Sequence, residues 1–143
     1  MIVIDASVFV KLFKTEDDSA AARALIDHVV VDEAPSLAPS IVLYETLSAA
    51  LHIGHSFDKV STLFEQLRTF GLVIREPTKD ELMLAERIAT TKAPTGGYPT
   101  LFDSIYHAMA IVRGATFITA DERHMMKAGH FGSVALLADW PSA

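Results

Sequence analysis

Short apolar runs alternate with longer segments of helical periodicity along almost the whole chain. A short continuous apolar run is typical of a strand buried on both faces of a parallel sheet. Strands that alternate with helices predict βαβ units, so the expected fold class is α/β, with helices on both faces of a central, mainly parallel sheet. The predicted strands lie at residues 1–4, 36–39, 72–74, 115–119 and 134–137.

Local start and stop signals support the predicted helices. Thr78 and Glu81 form a capping box, Ser40 is a candidate N-cap, and Gly114 is placed to end a helix. We expect one domain spanning residues 1–143, because this length is usual for a single globular unit. The predicted helices lie at residues 7–13, 19–31, 41–51, 56–70, 78–91, 100–113 and 121–127.

The composition restricts the cellular compartment and the kinds of ligand that can be expected for the protein. The chain contains no cysteine, so neither a disulfide framework nor thiolate metal ligation is available. No apolar run approaches the roughly 18 residues that span a bilayer, and the N-terminus lacks a signal-peptide pattern, so we expect a cytoplasmic protein without membrane association. The net charge of -6 disfavours an extended basic surface for nucleic acid.

Four acidic residues map to one edge of the predicted sheet. Asp5 and Asp121 come directly after the first and fourth predicted strands. Glu45 lies in the helix that leaves the second strand, and Asp103 lies in the first turn of the helix that precedes the fourth. Ligands of open parallel sheets bind outside the carboxyl ends of the strands, and both helices begin at that edge. We therefore expect the four side chains to lie close together.

Structural roles are open to three of these acids. Asp5 and Asp121 are placed to cap the helices that follow them, and Asp103 completes a variant capping box. Glu45 differs, because its neighbours three and four positions away are apolar or small. No Lys or Arg occurs between residues 24 and 58, so a local ion pair is excluded.

Carboxylates gathered at one edge repel one another, and their pKa values rise unless a positive charge lies among them. A divalent cation is the simplest source of that charge. All-oxygen ligation selects Mg²⁺ or Mn²⁺ over zinc, and Mg²⁺ characteristically combines a few carboxylates with water and substrate phosphates. The residues thus predict a metal site formed by what we call the four acids: Asp5, Glu45, Asp103 and Asp121.

Four stretches of the chain together resemble the PIN-domain nucleases, and most closely the VapC-like toxins of type II toxin–antitoxin pairs. They are MIVIDASVFVKLF, APSIVLYETLSAA, PTLFDSIYHAMA and FITADERH, in that order along the chain. The resemblance implies a three-layer α/β/α PIN-like fold and a Mg²⁺- or Mn²⁺-dependent endoribonuclease. Its reaction is the in-line attack of a metal-activated water on an RNA phosphodiester.

The resemblance also assigns roles to individual residues. The family's acidic cluster falls on the four acids, with Glu45 either a metal ligand or the group that holds and deprotonates the attacking water. Ser7 and Thr119 match hydroxyl positions that orient carboxylates or metal-bound water. One departure is Ser48, because many relatives carry asparagine three residues after the glutamate. It places in doubt the hydrogen bonding around Glu45 more than the metal site.

The implied substrate is single-stranded RNA. Tyr98 and Phe102, beside a glycine-rich loop, are candidates for stacking on unpaired bases, although Phe102 is equally compatible with the core. The resemblance further implies a homodimer and a cognate antitoxin that lies across the acidic groove. The basic residues that could follow an RNA strand, most of them expected to be solvated surface charges, are Lys11, Lys14, Arg87, Lys92, Arg113, Arg123 and Lys127.

The histidines offer no clear metal site. His52 and His55 are predicted to be surface residues, because no third ligand accompanies them. His107 lies one turn after Asp103, so it either faces the site or pairs with that carboxylate, and His124 is similarly ambiguous.

Three other functions remain open from the sequence. A phosphoacceptor α/β protein is disfavoured, because position 7 is serine and no acid neighbours Asp5. A PIN-like module that binds RNA or protein without catalysis is disfavoured because the acid set is complete. A PIN-like nuclease that processes RNA without an antitoxin also stays open, and a small antitoxin gene immediately upstream would exclude it.

Overall fold

The structure is a computed structural model that describes residues 1–141. Five strands form one sheet in the order β3-β2-β1-β4-β5, and every pairing is parallel. This arrangement, with helices around it, confirms the predicted α/β class. The strands are β1 (Ile2–Ile4), β2 (Ser36–Pro39), β3 (Leu72–Arg75), β4 (Thr116–Thr119) and β5 (Val134–Leu136).

The helices connect these strands, and short 3-10 turns at Gly129–Phe131 and Leu137–Asp139 flank β5. The predicted capping box of Thr78 and Glu81 forms. The predicted cap at Ser40 is wrong, because its hydroxyl donates to Glu76 instead. The α-helices of the described residues are α1 (Ala6–Val10), α2 (Ser19–Val31), α3 (Ile41–His52), α4 (Phe57–Thr69), α5 (Lys79–Ala89), α6 (Leu101–Arg113) and α7 (Glu122–Ala128).

The core lies on both faces of the sheet. All four residues of β2 are buried, which requires cover from helices on each side. α6 is the most deeply packed helix, with every residue from 104 to 110 buried between the sheet and α5. Within this layer the Tyr106 ring stacks on Phe117 of β4, with ring centroids 5.5 Å apart. α6 is therefore held rigidly against the strands at the centre of the sheet.

The strand order reverses between β1 and β4, because β2 and β3 lie on one side of β1 and β5 lies beyond β4. Ile4 pairs with Ile118, and the Asp5 backbone N–H donates to the Ile118 carbonyl over 3.1 Å. A reversal of this kind opens a crevice at the carboxyl edge of the sheet. Asp5 and Thr119 consequently face each other across that crevice. Through residue 141, no helix is both long and apolar enough to cross a bilayer.

Candidate active site

Asp5 lies at the mouth of the crevice, yet only 4% of its surface is exposed. Two hydroxyls donate to its Oδ2 atom: Ser7 Oγ over 2.6 Å and Thr119 Oγ1 over 2.7 Å. The Asp5 side chain makes no capping bond to α1, so the capping alternative for this residue is wrong. Neither hydroxyl reaches Oδ1, which leaves that oxygen for another partner.

The same hydroxyls join the ends of the two central strands. Ser7 Oγ accepts the backbone N–H of Ala120 over 3.0 Å, and Thr119 Oγ1 accepts that of Asp121 over 3.0 Å. Each hydroxyl therefore accepts from the loop after β4 while it donates to Asp5. This pattern fixes the Asp5 carboxylate relative to the backbone that carries Asp121.

Glu45 projects from α3 as a half-buried side chain. Its single side-chain hydrogen bond among the described residues comes from Tyr106, whose Oη donates to Oε1 over 2.6 Å. Burial raises the pKa of Glu45, and the Tyr106 bond opposes that rise. Tyr106 was not among the predicted site residues. The one sequence feature that could have marked it is its position one turn after Asp103, on the same face of α6.

Asp103 and Asp121 lie beside each other at the ends of α6 and α7. Asp121 Oδ1 accepts the backbone N–H groups of Arg123 and His124 over 2.9 and 3.3 Å, so its capping role is confirmed. At α6 the cap is Thr100, whose Oγ1 accepts the Asp103 N–H over 3.2 Å. The Asp103 side chain is half-buried, and its pKa responds to the neighbouring side chains of Thr100 and Asp121.

The four acids influence one another electrostatically. Burial raises the pKa of Asp5 to about 7, and repulsion from Asp103 and Glu45 adds to the rise. Burial likewise raises the pKa of Asp103 to about 6, with repulsion from Asp121 and Glu45. No ion pair among residues 1–141 reaches any of the four. The fold therefore gathers these carboxylates without supplying a cation of its own.

The donor set suits a hard divalent cation, since carboxylate oxygens are the ligands that Mg²⁺ and Mn²⁺ prefer. Across residues 1–141, no three His, Cys, Asp or Glu side chains already form a ligand set around a common point. Mg²⁺ usually binds through one or two carboxylates and keeps several waters. Such water-rich binding fits the site without a preformed cage.

Two cavities of unlike character flank the four acids. One, of about 150 Å³, lies between α6 and α7, and we call it the cationic cavity. The other is an open groove of about 550 Å³ beside α3, which we call the aromatic groove. The cationic cavity is lined by Pro99, Thr100, Asp103, Asp121, Arg123, His124 and Lys127. The aromatic groove is lined by Tyr44, Glu45, Ser48, Ala49, His52 and Phe102.

The side chains of the aromatic groove are unusually exposed for their type. Tyr44 is 68% exposed and Phe102 56% exposed, so the alternative that places Phe102 in the core is wrong. Tyr98 is also exposed but lines neither cavity. The second aromatic side chain that lines the groove is therefore Tyr44, which was not among the predicted site residues.

The histidines near the crevice form a buried pair. His107 Nε2–H donates to the Gly132 carbonyl over 2.6 Å, so His107 Nδ1 accepts from His124 Nε2–H over 3.0 Å. Burial lowers the pKa of both rings, that of His124 to about 4, which keeps them neutral. The predicted pairing of His107 with Asp103 is wrong, because the ring bonds to Gly132 and His124 instead.

The fold and the acid-lined crevice define a PIN domain. The model of the PIN domain family matches residues 2–129, so the chain belongs to that family, as the sequence predicted. The solved structure of VapC20 from Mycobacterium tuberculosis, described as a sarcin-ricin loop cleaving toxin, is similar in fold. Its TM-score is 0.59 at 18% sequence identity, over 80% of this chain and 84% of that one. No curated protein sequence gives a significant match.

Proposed function

We propose that this PIN domain is a Mg²⁺- or Mn²⁺-dependent endoribonuclease that hydrolyses phosphodiester bonds of single-stranded RNA. The observation that carries the proposal is the gathering of the four acids at the strand-order reversal, with raised pKa values at Asp5, Glu45 and Asp103 and no cation from the described chain. Buried carboxylates without a positively charged partner are costly, so a site of this kind is stabilised by a cation from solution.

Each acid has a distinct task in this proposal. Asp5, Asp103 and Asp121 hold the cation, and Asp5 is kept in place by its two hydroxyl donors. When bound, Mg²⁺ or Mn²⁺ supplies a water of lowered pKa and positive charge beside the phosphate oxygens. Glu45, half-buried and with a raised pKa, accepts the proton of the attacking water or binds the cation itself.

The flanking cavities suggest how an RNA strand lies across the site. Arg123 and Lys127 offer positive charge for backbone phosphates in the cationic cavity. The aromatic groove contains a carboxylate and no Lys or Arg, so it repels phosphate but offers Tyr44 and Phe102 for stacking on a base. Local charge of this kind reconciles RNA binding with the net charge of -6.

The direct test is a cleavage assay on a labelled single-stranded RNA. We expect cutting with Mn²⁺ and wild-type protein, and none with chelator or with Asp5→Asn or Asp103→Asn. In Asp5→Asn, the amide oxygen can still accept both hydroxyls, so the fold is retained. Equal cutting in all four samples would identify a contaminating nuclease and refute the proposal. Absence of cutting in every sample, with RNA still bound, would favour the non-catalytic binding module.

We further propose that the enzyme is the cytoplasmic toxin of a toxin–antitoxin pair and forms a homodimer. Its support is PIN-family membership, the similarity in fold to a VapC toxin, and large apolar side chains exposed on the helices. Expression of the chain alone is expected to arrest growth, and the product of a small adjacent gene is expected to copurify with it and restore growth. If cells that express the active chain alone grow normally, an RNA-processing nuclease without an antitoxin is favoured. Sedimentation of the isolated chain tests the dimer.

A further inference from the structure

One tyrosine hydroxyl lies where three elements that carry the acids meet. Tyr106 is fully buried in α6, one turn after Asp103. Its Oη donates to Glu45 Oε1 on α3 over 2.6 Å. The backbone N–H of Ala6, the residue after Asp5, lies near the same oxygen and opposes the rise in the pKa of Tyr106. A single oxygen atom of α6 thus bonds to α3 and lies near the start of α1.

The hydroxyl has little freedom to move. The Tyr106 ring lies nearly parallel to Phe117 at 15°, and both rings are fully buried. Burial raises the pKa of Tyr106, and the nearby charges of Asp5 and Glu45 add to that effect, so the hydroxyl keeps its proton. The hydroxyl proton is directed toward Glu45, because a carboxylate oxygen can only accept this bond.

Glu45, in contrast, depends on this bond for its orientation. The hydroxyl is its single side-chain hydrogen-bond partner through residue 141. The Glu45 side chain also lines the aromatic groove, whose volume of about 550 Å³ leaves space for the carboxylate to rotate away from the other acids. A charge-assisted bond from a fixed donor opposes that rotation.

We infer that Tyr106 is a positioning residue that keeps the Glu45 carboxylate on the side of the crevice where it acts on Asp5 and Asp103, and that it thereby strengthens the binding of a divalent cation by the four acids. Tyr106 itself binds neither the cation nor RNA. This inference rests on the proposed function, since it assigns a role within the same site. Its test therefore uses metal affinity as well as turnover.

The substitution Tyr106→Phe removes the hydroxyl and keeps the stacked ring. We expect Mn²⁺ to bind about tenfold more weakly, as is usual when a group that orients a metal ligand is lost. Turnover of RNA falls by a similar factor, about tenfold, while KM for RNA is nearly unchanged, because the substrate cavities are intact. Tyr98→Phe is the matched control, since it removes the hydroxyl of an exposed tyrosine that lines neither cavity and is expected to leave Mn²⁺ affinity unchanged.

A double-mutant cycle separates positioning from general damage to the fold. In a Glu45→Gln background, Tyr106→Phe is expected to change Mn²⁺ affinity by less than about twofold, because the charged group on which the hydroxyl acts is gone. Glu45→Asp shortens the side chain so that it no longer reaches the hydroxyl, and it is expected to weaken Mn²⁺ binding. Adding Tyr106→Phe to Glu45→Asp is expected to weaken Mn²⁺ binding no further. Thermal unfolding of each protein verifies that it is folded at the assay temperature.

Two results would overturn the inference. The first is that Tyr106→Phe leaves Mn²⁺ affinity unchanged. The second is that Tyr106→Phe lowers Mn²⁺ affinity by the same factor in the wild-type protein and in the Glu45→Gln background. Should wild-type protein bind Mn²⁺ yet cut no RNA, the proposed function fails, and the cycle still decides whether Tyr106 positions Glu45.

Discussion

Glu81 and Asp5 are both buried carboxylates at the carboxyl edge of the same sheet, and the chain treats them in opposite ways. Glu81 is 1% exposed and receives two bonds from Arg75, over 2.7 and 2.9 Å, and one from the Thr78 N–H over 2.7 Å. Asp5 is 4% exposed and receives bonds from two neutral hydroxyls. One carboxylate has a cation from the chain, and the other has none.

The pKa values record this difference. Burial raises the pKa of Glu81, but the bonds from Arg75 and Thr78 outweigh it, so the pKa lies below its ordinary value. Burial raises the pKa of Asp5 to about 7, because no positive charge offsets it. A buried carboxylate with its own cation serves the fold, whereas one without is available to a cation from solution. The contrast assigns Glu81 to the structure and supports the proposed catalytic role of Asp5.

The largest expected effect comes from removing one of the four acids. We expect Asp103→Asn to lower RNA cleavage by at least about a thousandfold, because a ligand of the cation that activates water is lost. Glu81→Gln is the matched substitution at the structural carboxylate, and its turnover is expected to stay within about threefold of wild type below its unfolding temperature. Steady-state cleavage rates at saturating Mn²⁺ measure both. A comparable loss of cleavage rate in the two variants would contradict the distinction between a catalytic carboxylate at Asp103 and a structural one at Glu81.

The stability of the same two variants is expected to follow the reverse order. Glu81→Gln leaves Arg75 without its charged partner, and since Arg75 is partly exposed to solvent, we expect a loss of about 2 kcal/mol. For a chain of this size such a loss lowers Tm by roughly 5 to 10 °C. Asp103→Asn is expected to leave the Tm of the metal-free protein unchanged or higher, because it relieves repulsion among the acids. Calorimetry in the presence of chelator measures both values.

Opposite pH dependences sharpen the comparison further. The pKa of Asp5 is raised from 3.8 to about 7, so between these values the folded protein holds a proton that the unfolded chain has lost. Without metal, stability is therefore expected to fall as pH rises through this range. The lowered pKa of Glu81 has the opposite sign: its contribution is present above the ordinary value of 4.5 and is lost as pH falls further.

Thermal melts from about pH 2.5 to pH 8, with chelator and with Mn²⁺, measure these slopes. Mn²⁺ is expected to raise Tm most at the alkaline end, where the acids are charged. Asp5→Asn is expected to flatten the slope of the metal-free protein. An unchanged slope in Asp5→Asn would show that its burial is not the source of the dependence.

The smallest expected effect lies at the edge of the site. Lys127→Ala removes positive charge from the cationic cavity without touching an acid, so we expect KM for RNA to rise about threefold to tenfold with kcat nearly unchanged. The effect is expected to shrink at high salt, because screening weakens phosphate contacts. Lys59→Ala, on α4 and outside both cavities, is the control. A fall in kcat instead would place Lys127 in the reaction and not in RNA binding.

Local patterns were sufficient to predict the order of strands and helices. Buried strands and amphipathic helices each impose a repeat on neighbouring residues, and signals such as the Thr78 capping box act within one turn. The side chains that directly follow the strands could also be placed at the carboxyl edge of the sheet, because parallel strands all end at that edge. The failed cap at Ser40 shows the limit: Glu76, its actual partner, lies 36 residues away.

Contacts at the site itself required the tertiary structure for the same reason. Tyr106 and Glu45 are separated by 61 residues, and His107 and His124 by 17, and no periodicity relates them. Whether Phe102 lay in the core or at the surface depended on the packing of α3 beside it. These features arise where side chains from different elements meet, and a linear pattern does not encode their distances.

By itself, then, the sequence determined the α/β architecture and the residue types at the carboxyl edge, since both follow from repeats and connections along the chain. The tertiary structure alone decided which carboxylate received a cation from the chain and which did not. Arg75 and Glu81 are only 6 residues apart, but Asp5 is buried by distant segments and receives a bond from Thr119, 114 residues away, and the free energy of a charge is set by everything that surrounds it.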